Sequence, residues 1–158
     1  MVAVEDQLWD GFARAVVRIG FAEGTRVLRP RNEPGAVDEF PFADAVHIVS
    51  ACNPSGASAD DASNAAASAA LAELAAKLGV LTLSTIGSGS DGSIPEPGVL
   101  FEGISREDAV ALGVRFGQSA VYEWRRDALE IIGALDPGSL LLGWRLTDLD
   151  GLEAVGDS

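Results

Sequence analysis

A small single-domain α+β fold is predicted by three observations. Apolar runs of strand length alternate with segments of helical period, the polar residues gather at the breaks between them, and 158 residues suffice for one hydrophobic core without staples. The breaks carry most of the information. The run Val46-His47-Ile48-Val49-Ser50-Ala51-Cys52 stops at Asn53-Pro54-Ser55-Gly56, and a later apolar run stops at Gly87-Ser88-Gly89-Ser90-Asp91-Gly92.

In chain order, Leu8, Phe12, Val16 and Ile19 recur at four- and three-residue spacing, which predicts a packed helix from Glu5 to Gly20. Thr25 to Arg29 reads as a short strand ended by Pro30, and Arg31 to Pro41, with Pro34 inside it, as a loop. Val46 to Cys52, rich in β-branched residues, is a strand. Ser58-Ala59-Asp60-Asp61 offers an N-cap to a helix running to Leu78, with Leu71, Leu74 and Leu78 on one stripe, small residues such as Ala67 and Ala75 beside it, and Gly79 as its stop. Val80 to Ile86 alternates Leu81 and Leu83 with Thr82 and Ser84 as a half-buried strand does, and Val99 to Gly103 is its expected neighbour.

Ser105 with Asp108 three residues on starts a short helix whose packed face holds Ala109, Leu112 and Phe116, and Gly117 ends it. Ala120 to Trp124 alternates again, Leu129 to Gly133 and Leu140 to Leu146 are further strands, and residues 148–158 read as a frayed tail. The order strand, helix, strand, strand, helix, strand predicts a ferredoxin-like split β-α-β core (βαββαβ) within one domain spanning residues 1–158, with an added N-terminal helix and extra strands. Both core helices then cover one sheet face. The N-terminal helix or a second subunit, as in a homodimer, is expected to cover the other.

With 24 acidic and 11 basic residues the formal charge is −13, which repels nucleic-acid phosphates and anionic lipid and excludes direct nucleic-acid binding. The same field suits a basic protein partner. The single Cys52 can form no intramolecular disulfide, no secretory signal pattern opens the chain, and no apolar run of about 18 residues is present, so a reducing cytoplasm and no membrane contact are expected.

The run Ser50-Ala51-Cys52-Asn53-Pro54-Ser55, then Asn64, the Gly-rich segment with Asp91, Glu96, and Phe116-Gly117-Gln118-Ser119-Ala120-Val121-Tyr122-Glu123-Trp124 together resemble the bacterial domain of unknown function 3293 family over about Asp44 to Trp124. The resemblance implies a small bacterial protein of similar core and no particular activity. Two positions depart from the family pattern. Ser63 stands where an acidic residue precedes the helix asparagine, and Ile94-Pro95 where a tryptophan shortly precedes the glutamate.

Asn53 and Ser55 offer donors and acceptors at a strand end, although Asn, Pro, Ser and Gly are equally the ordinary residues of a turn. Asp60 and Asp61 already answer the following helix dipole, which disfavours a phosphate there. The Gly87 to Gly92 segment has neither the P-loop ending nor a following helix, and its Asp91 and Glu96 lack calcium-loop spacing. Gln118 either reaches the strand ends or ties its helix to the next strand. His47, the one histidine, permits no His cluster or Ser-His-Asp triad and reads as a hydrogen-bonded structural residue, and Cys52 as a buried inert thiol. Trp9, Trp124 and Trp144 read as core or interface, with Trp124 beside Arg125 and Arg126 as an alternative stacking patch.

Two functions follow. A non-enzymatic interaction or regulatory module that binds a basic partner is favoured, since no catalytic constellation of recognisable spacing is present. The alternative is a small polar-ligand or enzymatic site at the strand ends, built from Asn53, Ser55, Asn64, Asp91, Glu96 and Gln118. No metal and no cofactor is called for, and whether the chain is an enzyme stays open.

Overall fold

The computed structural model describes residues 11–33, 35–36, 38–52, 60–88 and 96–148. The strands are β1 (Val16–Phe21), β2 (Gly24–Arg31), β3 (Val46–Ser50), β4 (Thr82–Ser88), β5 (Glu96–Glu102), β6 (Ala120–Arg125), β7 (Ala128–Gly133) and β8 (Ser139–Asp148), and the helices are α1 (Asp61–Leu78) and α2 (Arg106–Arg115). The eight strands form a closed barrel in the order β1-β2-β8-β7-β6-β3-β5-β4, with β4 returning to β1 and every pair antiparallel.

The ferredoxin-like α+β core with an added N-terminal helix is therefore corrected to a closed antiparallel barrel with few helices, α1 and α2 the long ones among the described residues. The reason lies in residues 16–21, where a strand stands in place of the expected helix. Val17 and Ile19 are buried and Arg18 is exposed, a period of two, and among the described residues of this region only 11–14 are helical. This strand pairs Ile19 with Thr85 on β4 and Val17 with Leu28 on β2, so it closes the gap that an open sheet would leave. The second sheet face needs no covering helix or subunit because the barrel wraps that face around its own core.

Alternation along each strand divides the apolar residues into two clusters. Val17, Ile19, Leu28, Val46, Ile48, Leu100, Trp124, Leu129, Trp144 and Leu146 point into the barrel, joined by Phe40 from the segment before β3. Val49, Ala51, Phe101 and Val121 point out and are covered by Leu71 and Ala75 of α1 and by Ala109 and Leu112 of α2. Residues 46–49 are buried on both faces for this reason, with barrel interior on one side and helix on the other.

The helix signals act where the sequence puts them. Asp60 accepts the Ser63 amide at 2.6 Å, Gly79 ends α1 with a left-handed φ of 70°, and the Ser105 side chain accepts the Asp108 amide at 3.1 Å. On the α1 stripe Leu71 is buried, but Leu78 is 46% exposed, and Leu81 is 72% exposed because β4 starts only at Thr82. Strand β2 runs on through Pro30 to Arg31, past Leu28, its last partner on β1, so the missing proline N–H is not asked to bond there. Trp124 is fully buried in the barrel, which removes the stacking-patch alternative, while Trp9 and the tail from residue 149 lie outside the described residues. No described helix is long and apolar enough to cross a membrane.

Candidate functional site

The two ends of the barrel are filled differently. At one end Phe21, Phe40, Phe42, Trp124 and Trp144 interlock, with ring centroids 5.2 Å apart for Trp124 and Trp144, 5.3 Å for Phe40 and Trp124, and 5.5 Å for Phe42 and Trp124. The Trp144 indole donates to the Arg125 carbonyl at 2.9 Å, and Asp38 accepts the Leu146 amide at 2.8 Å, which fastens the segment carrying Phe40 and Phe42 over this end.

At the other end, inward positions carry small residues. Ser50 on β3, Gly98 on β5 and Thr85 on β4 lie side by side in register, and Gly87 with Glu96 forms the next pair toward the rim. With Ala120 and Tyr122 of β6, Ile48, Val17 and the helical turn bearing Phe12, they enclose a cavity of about 270 Å³. An eight-stranded barrel is just wide enough to be filled by its side chains or to hold one small ligand, so small inward residues near the strand ends translate directly into space.

Gly98 is set where nothing larger fits, since a Cβ there would stand 2.8 Å from both the Thr85 hydroxyl and the Val49 carbonyl. A Cβ on Gly87 would meet nothing closer than 3.9 Å, so that glycine borders open space.

The polar groups of this mouth are partly committed. The Ser50 hydroxyl donates to the Pro97 carbonyl at 3.1 Å and accepts the Cys52 amide at 3.1 Å. Gln118 donates from Nε2 to the Cys52 carbonyl at 3.1 Å and the Phe116 carbonyl at 3.2 Å, tying the end of α2 to the end of β3. Thr85 is buried. Tyr122 has its phenol pushed well above the usual range, first by burial and then by the negative charge of Glu96, so it stays protonated and keeps an O–H to donate. Glu96 is the one residue with a formal charge among the described lining residues.

Of the six residues expected at the site, Glu96 and Gln118 line the cavity together. Asn64 lies on α1 and is not among the lining residues, and Asn53, Ser55 and Asp91 lie outside the described residues. Sequence reasoning missed Thr85, Gly98, Ala120 and Tyr122 and took Gly87 as the start of a polar loop, whereas all five lie inside strands. The signal that finds them is a run of small residues at the inward-facing positions near the strand ends.

On the outer wall His47, Glu123 and Glu130 form a ladder across β3, β6 and β7. Glu123 contacts His47 Nε2 at 3.0 Å and accepts from Arg106 at 3.0 and 2.8 Å and from Arg125 at 2.7 Å, and both arginines also reach Glu130 at 2.9 Å. The Arg106 hydrogen bonds, helped by His47 and opposed by burial, hold the Glu123 carboxyl down to about 2. His47 is thus a structural partner of Glu123, and Cys52 is buried with its sulfur 3.4 Å from the Ser68 hydroxyl. Among the described residues no three His, Cys, Asp or Glu side chains are grouped so as to hold a metal ion.

In comparisons with known proteins, residues 49–121 match the family model described as "Protein of unknown function (DUF3293)". No curated protein and no solved structure matches the chain. The matched segment runs from β3 into β6 and contains Ser50, Thr85, Gly87, Glu96, Gly98, Gln118 and Ala120, most of the wall of the mouth.

Proposed function

We propose, taking as premise that the chain belongs over residues 49–121 to the domain of unknown function 3293 family, that it is a small-molecule-binding domain whose site is the hollow barrel mouth. One observation carries the reading: Ser50, Gly87, Gly98 and Ala120 leave a cavity at one end of a barrel whose other end is packed solid with aromatic rings. At about 270 Å³ it falls just below the roughly 300–1,000 Å³ of pockets for drug-sized ligands, so its ligand is smaller than those. The walls are mostly apolar, and the polar groups that orient a ligand are Glu96, Thr85, Tyr122 and Gln118. The reading commits to binding and assigns no reaction.

The test is a thermal-shift screen of small metabolites against the parent and Gly87→Leu, which puts bulk into the mouth from a position whose Cβ meets nothing closer than 3.9 Å. Unliganded Gly87→Leu should be within about 1 kcal/mol of the parent in stability. Compounds that raise the parent's melting temperature should leave the variant unmoved, and hits that shift both equally would place binding elsewhere.

A second reading, an acidic module docking on a basic protein, is supported by the charge of −13. Its signature is an affinity for a defined basic partner that falls steeply with salt and is indifferent to Gly87→Leu.

A further inference from the structure

The hydrogen bonds already made inside the mouth narrow its ligand, and this step rests on the binding reading above. Ser50 and Gln118 donate to backbone carbonyls, and Glu96 is engaged within the chain, so none of the three is counted as available. Thr85 and Tyr122 are different. Thr85 is 3% exposed and lines the cavity, yet its hydroxyl meets no hydrogen-bond partner among the described residues. That hydroxyl lies over Gly98, 2.8 Å from where a Cβ would stand, so the missing side chain is what leaves it open to the cavity. Tyr122 sits one inward row deeper, on β6 beside Ile48, and its phenol, kept protonated by burial, likewise meets no hydrogen-bond partner among the described residues. An O–H left unbonded in an apolar recess is unfavourable, and both groups have a hydrogen to give.

The complement of two such donors is an acceptor, and the rest of the wall sets its charge. No Lys, Arg or His is among the described lining residues to receive an anion, whose burial without a counter-charge is strongly opposed, and the net charge of −13 opposes its approach. An organic cation brings only donors, and the one carboxylate among the described lining residues, Glu96, is already engaged. We infer that the mouth takes a small neutral carbonyl compound, an amide or ketone on an apolar body, whose oxygen accepts from the Thr85 and Tyr122 hydroxyls. A carbonyl oxygen has two lone pairs and can accept from both. The apolar body lies against Val17 and Ile48.

The experiment uses the full chain and three flat probes of nearly one shape: neutral benzamide, anionic benzoate and cationic benzamidinium. Amide NMR titration follows Gly87 and Gly98 at the mouth, while the Trp144 indole N–H, bonded to Arg125 at the far end, reports that each variant is folded. Benzamide should bind at least about tenfold more tightly than either ion, as expected where a buried charge finds no partner. Thr85→Val and Tyr122→Phe should each weaken benzamide about fivefold, the effect of one lost hydrogen bond.

If either ion shifts Gly87 and Gly98 at concentrations as low as benzamide does, or if a folded variant keeps the parent's affinity for benzamide, the carbonyl inference is overturned and the binding site stands. Should one variant fail to fold, the other variant and the comparison of probes on the parent decide. If none of the probes moves these amides at millimolar concentration, both the inference and the binding reading fall, and water alone serves the two hydroxyls.

Discussion

The aromatic end and the hollow end of this barrel are built on the same strands, and the difference between them lies in the size of the inward-facing side chains. Strand β6 shows it within two residues. Trp124 points into the ring cluster and is fully buried, whereas Tyr122 and Ala120, one and two inward positions along, border the cavity. Strand β4 gives Leu83 to the packed interior and Gly87 to the mouth. The backbone has thus specified a cylinder, and side-chain volume alone decides which part is core and which is site. At one end burial is used for stability, and at the other stability is forgone for space.

The largest break in that contrast should come from Trp124→Ala. It removes the ring that Phe40, Phe42 and Trp144 all touch, and a truncation of this kind costs about 3–5 kcal/mol. Chemical denaturation would show it, and a loss under about 1 kcal/mol would mean that the aromatic end does not hold the barrel.

Acid should act next, on the wall that joins the two ends. Glu123 lies between Tyr122 and Trp124 on the outer face of β6, and its carboxyl is lowered from an ordinary 4.5 to about 2. A depressed carboxylate contributes stability that is fully present above the unfolded value and disappears as pH falls through the folded one. The denaturation midpoints of the parent and Glu123→Gln should therefore differ at neutral pH and converge between pH 4.5 and about 2. A gap that stays constant across that window would show that the Arg106 pair contributes nothing to folding.

The smallest of these three effects should come from Gly98→Ala at the hollow end. The added methyl has open cavity nearby but meets the Thr85 hydroxyl and the Val49 carbonyl at 2.8 Å, so strand β5 must shift, at a cost of about 1–3 kcal/mol. A neutral result by thermal melting would mean that the mouth is soft enough to absorb a methyl group, and that its shape is set by more than Gly98.

The sequence was legible where a local signal had a single meaning. Asp60 and Ser105 cap their helices, Gly79 ends the first, and the alternation from Ala120 to Trp124 is a strand. It misled at Val16 to Phe21, where Leu8, Phe12, Val16 and Ile19 satisfy a helical stripe while Val17 and Ile19 satisfy a strand. The choice is made by partners on β2 and β4 that a local window does not see. One such segment changed the fold class, since an eight-stranded barrel lacking β1 is an open sheet.

The site was legible only in part for a related reason. Glu96 and Gln118 stand out as polar residues at element ends, but Gly87, Gly98 and Ala120 mark a cavity only once it is known which residues face inward. Leu78 and Leu81 illustrate the same dependence, as apolar residues near an element boundary that are left facing solvent.

Closure by β1 and β8 also dictates when the molecule can fold. Strand β2 takes its second partner from β8, so Arg26 must find Asp148 and Arg31 must find Gly143. At a synthesis rate of roughly 5–20 residues per second, roughly 6 to 23 seconds separate the emergence of Arg31 from that of Asp148. During that time β2 has an unsatisfied edge and the indole of Trp144 is missing from the ring cluster. The barrel is consequently completed only after Asp148 has emerged, and until then the β1–β2 hairpin carries an edge open to pairing with a neighbour.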